Sequence, residues 1–189
     1  MRETENQLQI LLCELAAYLH NKDMEINVWD QIIAFEGRMH EFIKAAYDYQ
    51  DNTFHSHPGY YIDYFEMRLA QLQVLHNLHY EIKKIRKMPK QALVIADYIM
   101  YMADYVVEMN IPDQQIEKLE EISEQMKQEE LPKTREEFEG RALLYHILMD
   151  LEEFLVYKKR FVNGLDEKKL RIYWKQEMEQ KDSANELQK

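Results

Sequence analysis

The stretch LPKTREEFEGRALLYHILMDLEEFLVYKKRF, residues 131–161, predicts one long amphipathic helix. Thr134 is a residue type that caps helix starts, and Glu137 completes a capping box in which its carboxylate reaches back to the Thr134 N–H. Gly164 lies where a helix of this length would end. Six apolar residues recur at helical spacing and predict the buried face: Leu144, Ile147, Leu148, Leu151, Leu155 and Val162.

The same periodicity runs through the rest of the 189 residues. It predicts helices near residues 3–21, 27–49, 60–87 and 90–110, and a shorter one after Pro112. The second of these is expected to bury both Ile32 and Ile33. Because the four prolines fall where the pattern breaks, and short connections favour antiparallel neighbours, we predict an all-α fold. The expected architecture is an elongated antiparallel (up-and-down) bundle of about six helices.

Two regions of different character are expected along the chain. Residues 1–164 are predicted to form the bundle domain, and residues 165–189 a basic amphipathic helical tail that is partly frayed. Charge is uneven, since residues 113–139 hold ten acids and four bases, whereas residues 158–175 hold seven bases and two acids. The sequence therefore predicts a bundle with an acidic part and a basic part.

Overall charge and cysteine usage exclude several classes of function. The net charge of −11 argues against nucleic acid as a partner, because phosphate binding needs a basic surface. The single cysteine, Cys13, excludes an internal disulfide and suits a reducing cytosol. No apolar run approaches the ~20 residues that span a bilayer, so the chain as written is expected to be soluble.

Three charged residues are candidates for a polar site. Glu66 and Arg68 lie beside the apolar stripe of the third helix, within YFEMR, and Arg141 lies early in the sixth helix. They are interpreted first as a buried ion-pair network that fixes helix register. The alternative is a carboxylate-binding site, since the guanidinium fork matches that group.

Histidines and carboxylates offer weaker candidates. His55 and His57, in FHSHPG, resemble half of a metal site, but zinc needs three or four ligands and no His or Cys cluster completes the set. A di-iron bundle needs Glu-x-x-His, which the sequence lacks. The fourth helix carries Asp97, Tyr101, Asp104 and Glu108 at helical spacing on one flank. They are interpreted as a solvated face, and the alternative is a groove for a cation or a polar ligand. No metal site, cofactor or catalytic residue is therefore predicted.

Three blocks of sequence resemble one known family. They are YYIDYFEMRLAQLQVL at residues 60–75, PKQALVIADYIMYMADYV at residues 89–106, and the stretch at residues 131–161. The most specific letters are YFEMR, LPKTREEFE and DLEEFL, and the likeness covers roughly residues 7–161. These blocks are similar to the cytosolic C-terminal domain of the bacterial putative aromatic acid exporter family.

The resemblance implies a setting for the chain. In that family the domain follows a hydrophobic half that spans the membrane, and no catalytic residues are implied. We therefore expect a non-catalytic, cytosolic accessory domain that acts in assembly, regulation or partner binding. Its partners would be the membrane-spanning half or other subunits, and association into a homo-oligomer stays open. The alternative is a sensing domain that binds a small aromatic carboxylate between helices, near Arg68 or Arg141.

A simple alternation of helices predicts which end of the bundle would face a membrane. Met1 and the basic region Lys158–Lys175 would then lie at the same end. Positive charge is favoured on the cytosolic side of a membrane, because the inner leaflet is anionic. We expect that end to lie near the membrane surface.

Overall fold

All regular structure in the described residues is α-helical, and the predicted all-α bundle is confirmed. The computed structural model describes residues 1–21, 28–52 and 58–174. Its helices are α1 (Arg2–His20), α2 (Val28–Asn52), α3 (Pro58–Lys84), α4 (Ala92–Ala103), α5 (Asp113–Lys127), α6 (Arg135–Asn163) and α7 (Glu167–Tyr173). With 29 residues, α6 is about 44 Å long.

Consecutive long helices run antiparallel. Arg38 of α2 pairs with Glu3 at the start of α1, whereas Gln31 bonds to Glu14 further along α1. The same reversal relates α3 to α6, since Tyr64 meets Phe161 whereas Gln71, later on α3, bonds to Phe154, earlier on α6. The most extensive contacts of α3 are with α2 and α6. The main neighbour of α4 is α1, and His20 at the end of α1 meets Asp97 of α4 at 3.0 Å. Met1 therefore lies at the end of the bundle where α6 finishes.

The core is built from the predicted apolar stripes. Five leucines of α1 are at most 1% exposed: Leu8, Leu11, Leu12, Leu15 and Leu19. Burying each contributes about 1.5–3 kcal/mol. In α2 the prediction is half right, because Ile32 is buried but Ile33 is 45% exposed. The buried positions of α2 are spaced by four and three residues, from Val28 through Ile32 to Phe35, which leaves Ile33 on the outer face.

The start of α6 follows the capping prediction with one difference. The Thr134 hydroxyl accepts a hydrogen bond from the Glu137 N–H at 3.1 Å, as expected of an N-cap. The Glu137 carboxylate, however, accepts from the Lys133 N–H at 2.9 Å rather than from Thr134. This bond, followed by one from Arg141, holds the pKa of Glu137 below its usual value. At the other end, α6 finishes at Asn163 with Gly164 as its C-cap.

The fourth helix is shorter than predicted, ending at Ala103 rather than near Asn110. Beyond it, the Tyr105 N–H donates to the Met102 carbonyl and the Val106 N–H donates to the Ala103 carbonyl. These bonds span three residues, so the chain tightens into turns instead of continuing the α-helix. Glu108 is consequently not on a helical flank with Asp97 and Asp104.

Two helical glycines form a matched pair of test positions. A Cβ at Gly37 of α2 would meet nothing within 4 Å, whereas a Cβ at Gly140 of α6 would lie 2.9 Å from Pro89 Cγ. Gly37→Ala should raise the free energy of unfolding by about 0.5–1 kcal/mol, because alanine favours the helix. Gly140→Ala should lose that gain to the clash. Denaturant unfolding of both variants measures the difference, and equal stabilisation would contradict the close packing of α6 on Pro89.

Candidate functional site

The most polar part of the interior lies at the Met1 end and centres on Arg68. This α3 side chain is 1% exposed, and its Nη1 donates to Gln71 Oε1 at 2.9 Å. Its Nη2 lies 3.8 Å from Glu5 Oε1 of α1, and its guanidinium carbon lies 5.1 Å from the centre of the Tyr64 ring. Tyr64 also donates to Glu5 at 3.2 Å. The charge of Arg68 is thus balanced by a carboxylate, an amide and an aromatic face.

Gln71 extends this cluster to a third helix. Its Nε2 donates to the Phe154 carbonyl of α6 at 2.8 Å while its Oε1 accepts from Arg68. Gln71 is itself 1% exposed, so both ends of its amide are used inside the protein. One continuous set of polar contacts therefore ties α1, α3 and α6 in a fixed register.

A second buried cation lies nearby on α6. Lys158 is 4% exposed, and its ammonium donates to the Glu108 carbonyl in the turns after α4. The ammonium also lies 5.3 Å from the centre of the Phe161 ring and 5.4 Å from that of Trp174. Because α4 ends before Glu108, the Glu108 carbonyl is available to accept a hydrogen bond from Lys158.

Tyr60 and Trp174 complete the set of polar contacts around Glu108 and Lys158. The Tyr60 hydroxyl donates to Glu108 Oε1 at 2.5 Å and accepts from Trp174 Nε1 at 3.0 Å. Burial, followed by the bond to Glu108, raises the pKa of Tyr60, and burial raises the pKa of Tyr64 to about 12. Both phenols therefore stay protonated and act as donors at neutral pH. We call Glu5, Tyr60, Tyr64, Arg68, Gln71, Glu108, Lys158 and Trp174 the buried network.

Residues 165–174 form a strap that closes the network. Asp166 caps α7 by accepting from the Lys169 N–H at 2.7 Å. Tyr173 stacks on Tyr60 with ring centres 3.8 Å apart, and Leu165 is buried beside Phe161. The tail was predicted to start at residue 165; that boundary stays a prediction, but this part of the tail packs on the same aromatic cluster as α3 and α6.

The space inside the network is small. A cavity of about 10 Å³ is lined by Arg68, Gln71, Gln115, Phe154 and Lys158, among others. That volume has room for about one water molecule. Among the described residues, Arg68 Nε and Nη2 have no hydrogen-bond acceptor. The network is therefore tightly packed, with unused donor capacity on Arg68.

The other two predicted ligand residues do not join Arg68. Glu66 is exposed and accepts from the Tyr47 hydroxyl at 2.9 Å. Arg141 lies near the start of α6, where it donates to Glu137 and to the Glu130 carbonyl, each at 2.6 Å. It is 13 residues before Phe154 along α6, which is about 20 Å. The three residues predicted as one site therefore lie in three places.

The histidine candidates are placed only in part. His55 and His57 lie outside the described residues. Two other histidines, His76 and His79 of α3, both contact the Trp29 ring of α2, and burial lowers the pKa of His79. Within residues 1–21, 28–52 and 58–174, no three His, Cys, Asp or Glu side chains are grouped to hold a metal ion.

Sequence reasoning missed most of the buried network. A signal was present, because Arg68 and Gln71 precede Leu72 and Leu75 on the buried stripe of α3. Lys158 likewise continues the spacing of Phe154 and Phe161 on α6. Asp150, on the same helix, is a further half-buried polar residue; burial, reinforced by Glu81 and Glu153, raises its pKa to about 6. A polar residue at an apolar position of a helix was the available clue.

Taken together, these contacts define an all-α helical domain whose interior charges are balanced by each other and by aromatic rings. The chain belongs to the family of the putative aromatic acid exporter C-terminal domain, whose family model matches residues 1–159. The strap lies beyond the matched residues. No helix in the described part of the chain is both long enough and apolar enough to cross a bilayer.

Two individual proteins are similar to this chain. Uncharacterized protein YqjA of Bacillus subtilis (strain 168) is 26% identical over 165 residues, which cover 85% of this chain and 49% of that protein. The chain thus spans about half the length of this curated relative. The crystal structure of a putative membrane protein from Clostridium difficile 630 shares the fold, with a TM-score of 0.75 at 24% identity, over 85% of this chain and 95% of that one.

The link between Arg68 and Glu5 can be tested by a double-mutant cycle. Arg68→Met should lower the free energy of unfolding by about 3–5 kcal/mol, because it leaves a partly buried carboxylate without its cation. Removing both charges, in Arg68→Met/Glu5→Leu, should cost less than the sum of the single changes by about 1–3 kcal/mol. Denaturant unfolding gives all four values. Strictly additive losses would show that the two side chains are not coupled.

The strap can be tested by shortening the chain. A chain ending at Gly164 should melt about 5–10 °C below one ending at Trp174, because it loses the burial of Leu165 and Trp174 and uncovers Tyr60. Trp174→Phe should have a smaller effect of about 1–2 kcal/mol, since it keeps an aromatic ring but removes the bond to Tyr60 and part of the buried ring area. Calorimetry measures both. Identical melting of the two shortened chains would contradict the packing of the strap.

Proposed function

We propose that this chain is a non-catalytic accessory domain of a membrane protein of the aromatic acid exporter family. The observation that carries the proposal is the family match over residues 1–159, together with a longer relative of which the match covers only 49%. The domain would act through helix packing, in assembly, regulation or the binding of other subunits. Its work would be mechanical rather than chemical.

The buried network supports a structural role. Its cations and carboxylates come from α1, α3, the turns after α4, and α6, and they are engaged with each other, with amides or with aromatic rings. Such an arrangement fixes the register of packed helices.

The proposed orientation of the domain relative to the membrane depends on which segments lie at the same end of the bundle. Met1 packs against the same aromatic cluster as Phe161, Leu165 and Trp174. In the proposal this end faces the membrane-spanning half, on the cytosolic side, where basic residues are favoured. The acidic residues of α5 would extend away from the membrane.

A second candidate is the sensing of an aromatic carboxylate. The unused donors of Arg68 favour it, because a guanidinium fork matches a carboxylate. The cavity of about 10 Å³ beside Arg68 weighs against it, since an aromatic ring would need the helices to separate. Benzoate bound at Arg68 would raise the melting temperature of the wild-type chain but not of Arg68→Met.

Co-purification tests the accessory role directly. The chain would be produced together with a membrane-spanning half from the same family that lacks its own C-terminal domain, and the complex extracted in detergent. The two should elute together, and Tyr60→Ala, which disrupts the Met1 end, should release the chain. The matched control is Tyr80→Ala, which changes an exposed tyrosine 20 residues further along α3, about 30 Å from Tyr60, and should stay bound. Separate elution of the wild-type chain would contradict the proposal.

A further inference from the structure

Exposed basic residues gather at the Met1 end of an otherwise acidic protein. Arg2 of α1, Arg160 of α6, and Lys168 and Arg171 of α7 are all exposed. Several acids at this end are compensated, since Lys169 pairs with Asp63 at 3.7 Å and Lys159 with Asp113 at 2.9 Å. We call the four exposed bases the basic end face. It contrasts with the net charge of −11 of the whole chain.

Aromatic and apolar side chains surround the same end. Tyr49 of α2 is 51% exposed and Ile172 of α7 is 46% exposed. A surface cavity of about 250 Å³ between α2 and α3 is lined by apolar and aromatic side chains, among them Phe42, Tyr49 and Tyr61. Tyr173 of the strap meets Tyr61 edge-on at 5.8 Å, so this groove adjoins α7. Basic residues beside exposed tyrosines are typical of surfaces at a membrane–water interface.

The strap gives this face a defined shape. A helix of seven residues is unstable alone, because helix nucleation is costly. Here α7 is held by the stack of Tyr173 on Tyr60 and by the bond from Trp174 to the Tyr60 hydroxyl. Leu170 and Tyr173 are half-buried against the aromatic cluster, whereas Lys168, Arg171 and Ile172 are exposed. The strap therefore presents bases in a fixed position instead of on a free tail.

From this arrangement we infer that the basic end face binds the headgroups of anionic lipids at a membrane surface. The charge complementarity is local, and each base near an anionic leaflet is expected to strengthen binding about fivefold. Exposed Tyr49 and Ile172 supply the apolar contact that basic residues alone lack. The inference rests on the proposed function, because it requires that this end faces a membrane, and it adds the lipid as a direct partner.

Vesicle sedimentation tests the inference with the full 189-residue chain. Vesicles of phosphatidylcholine alone are compared with vesicles that also contain phosphatidylglycerol. The wild-type chain should sediment with the anionic vesicles and much less with the neutral ones, and added salt should release it, because screening shortens the reach of the charges. No binding, or equal binding to both kinds of vesicle, would overturn the inference.

Charge reversal locates the contact on the molecule. Arg160→Glu/Lys168→Glu should weaken binding to anionic vesicles about tenfold or more. The matched control is Lys127→Glu/Lys133→Glu, which makes the same change of net charge at the opposite end. Its affinity for anionic vesicles should stay within about twofold of that of the wild-type chain, because salt screens charges that lie far from the vesicle surface. Equal weakening by both pairs would overturn the inference. The salt titration needs no variant and gives a result even where a variant unfolds.

The outcomes separate this inference from the proposed function. Co-purification with a membrane-spanning half, without vesicle binding, would leave the accessory role in place and remove the lipid contact. Failure of co-purification would remove the accessory role, whatever the vesicles show.

Discussion

A guanidinium buried where α1, α3 and α6 meet is the constraint on which the rest of the structure depends. Taking such a charge out of water costs several kcal/mol unless partners are placed around it. Arg68 has Gln71 at 2.9 Å, Glu5 at 3.8 Å and the Tyr64 ring at 5.1 Å. Gln71 and Tyr64 lie on α3 with Arg68, whereas Glu5 can reach it only when α1 and α3 lie in one register. Gln71 then sets the register of α6 through the Phe154 carbonyl.

The irregular features of the fold follow from burying a second cation. Lys158 needs acceptors and aromatic faces, and it finds them because α4 stops at Ala103 and the following turns present the Glu108 carbonyl. Trp174 then covers Lys158 and bonds to Tyr60. The short fourth helix and the strap therefore both supply partners for the buried Lys158 ammonium. Both also place the basic end face beside Met1.

Apolar periodicity predicted the helices well, because each stripe is decided by residues three or four apart. The leucines of α1 and the cap at Thr134 are local features of this kind. The buried network depends instead on partners distant in sequence, such as Glu5 with Arg68 and Glu108 with Lys158. Glu66 and Arg68 could not act together, since residues two apart on a helix point in different directions. The end of α4 was hidden because its apolar pattern continues to Val106, which is also buried.

Native-state hydrogen exchange tests most directly whether the buried network holds the Met1 end of the bundle together. The amides to follow are those of residues 64–72 in α3 and residues 154–161 in α6. If the network is the organising interaction, these amides should exchange only through openings whose free energy approaches that of global unfolding. Exchange through small local openings, while the amides of α1 between Leu8 and Leu15 stay protected, would contradict the account.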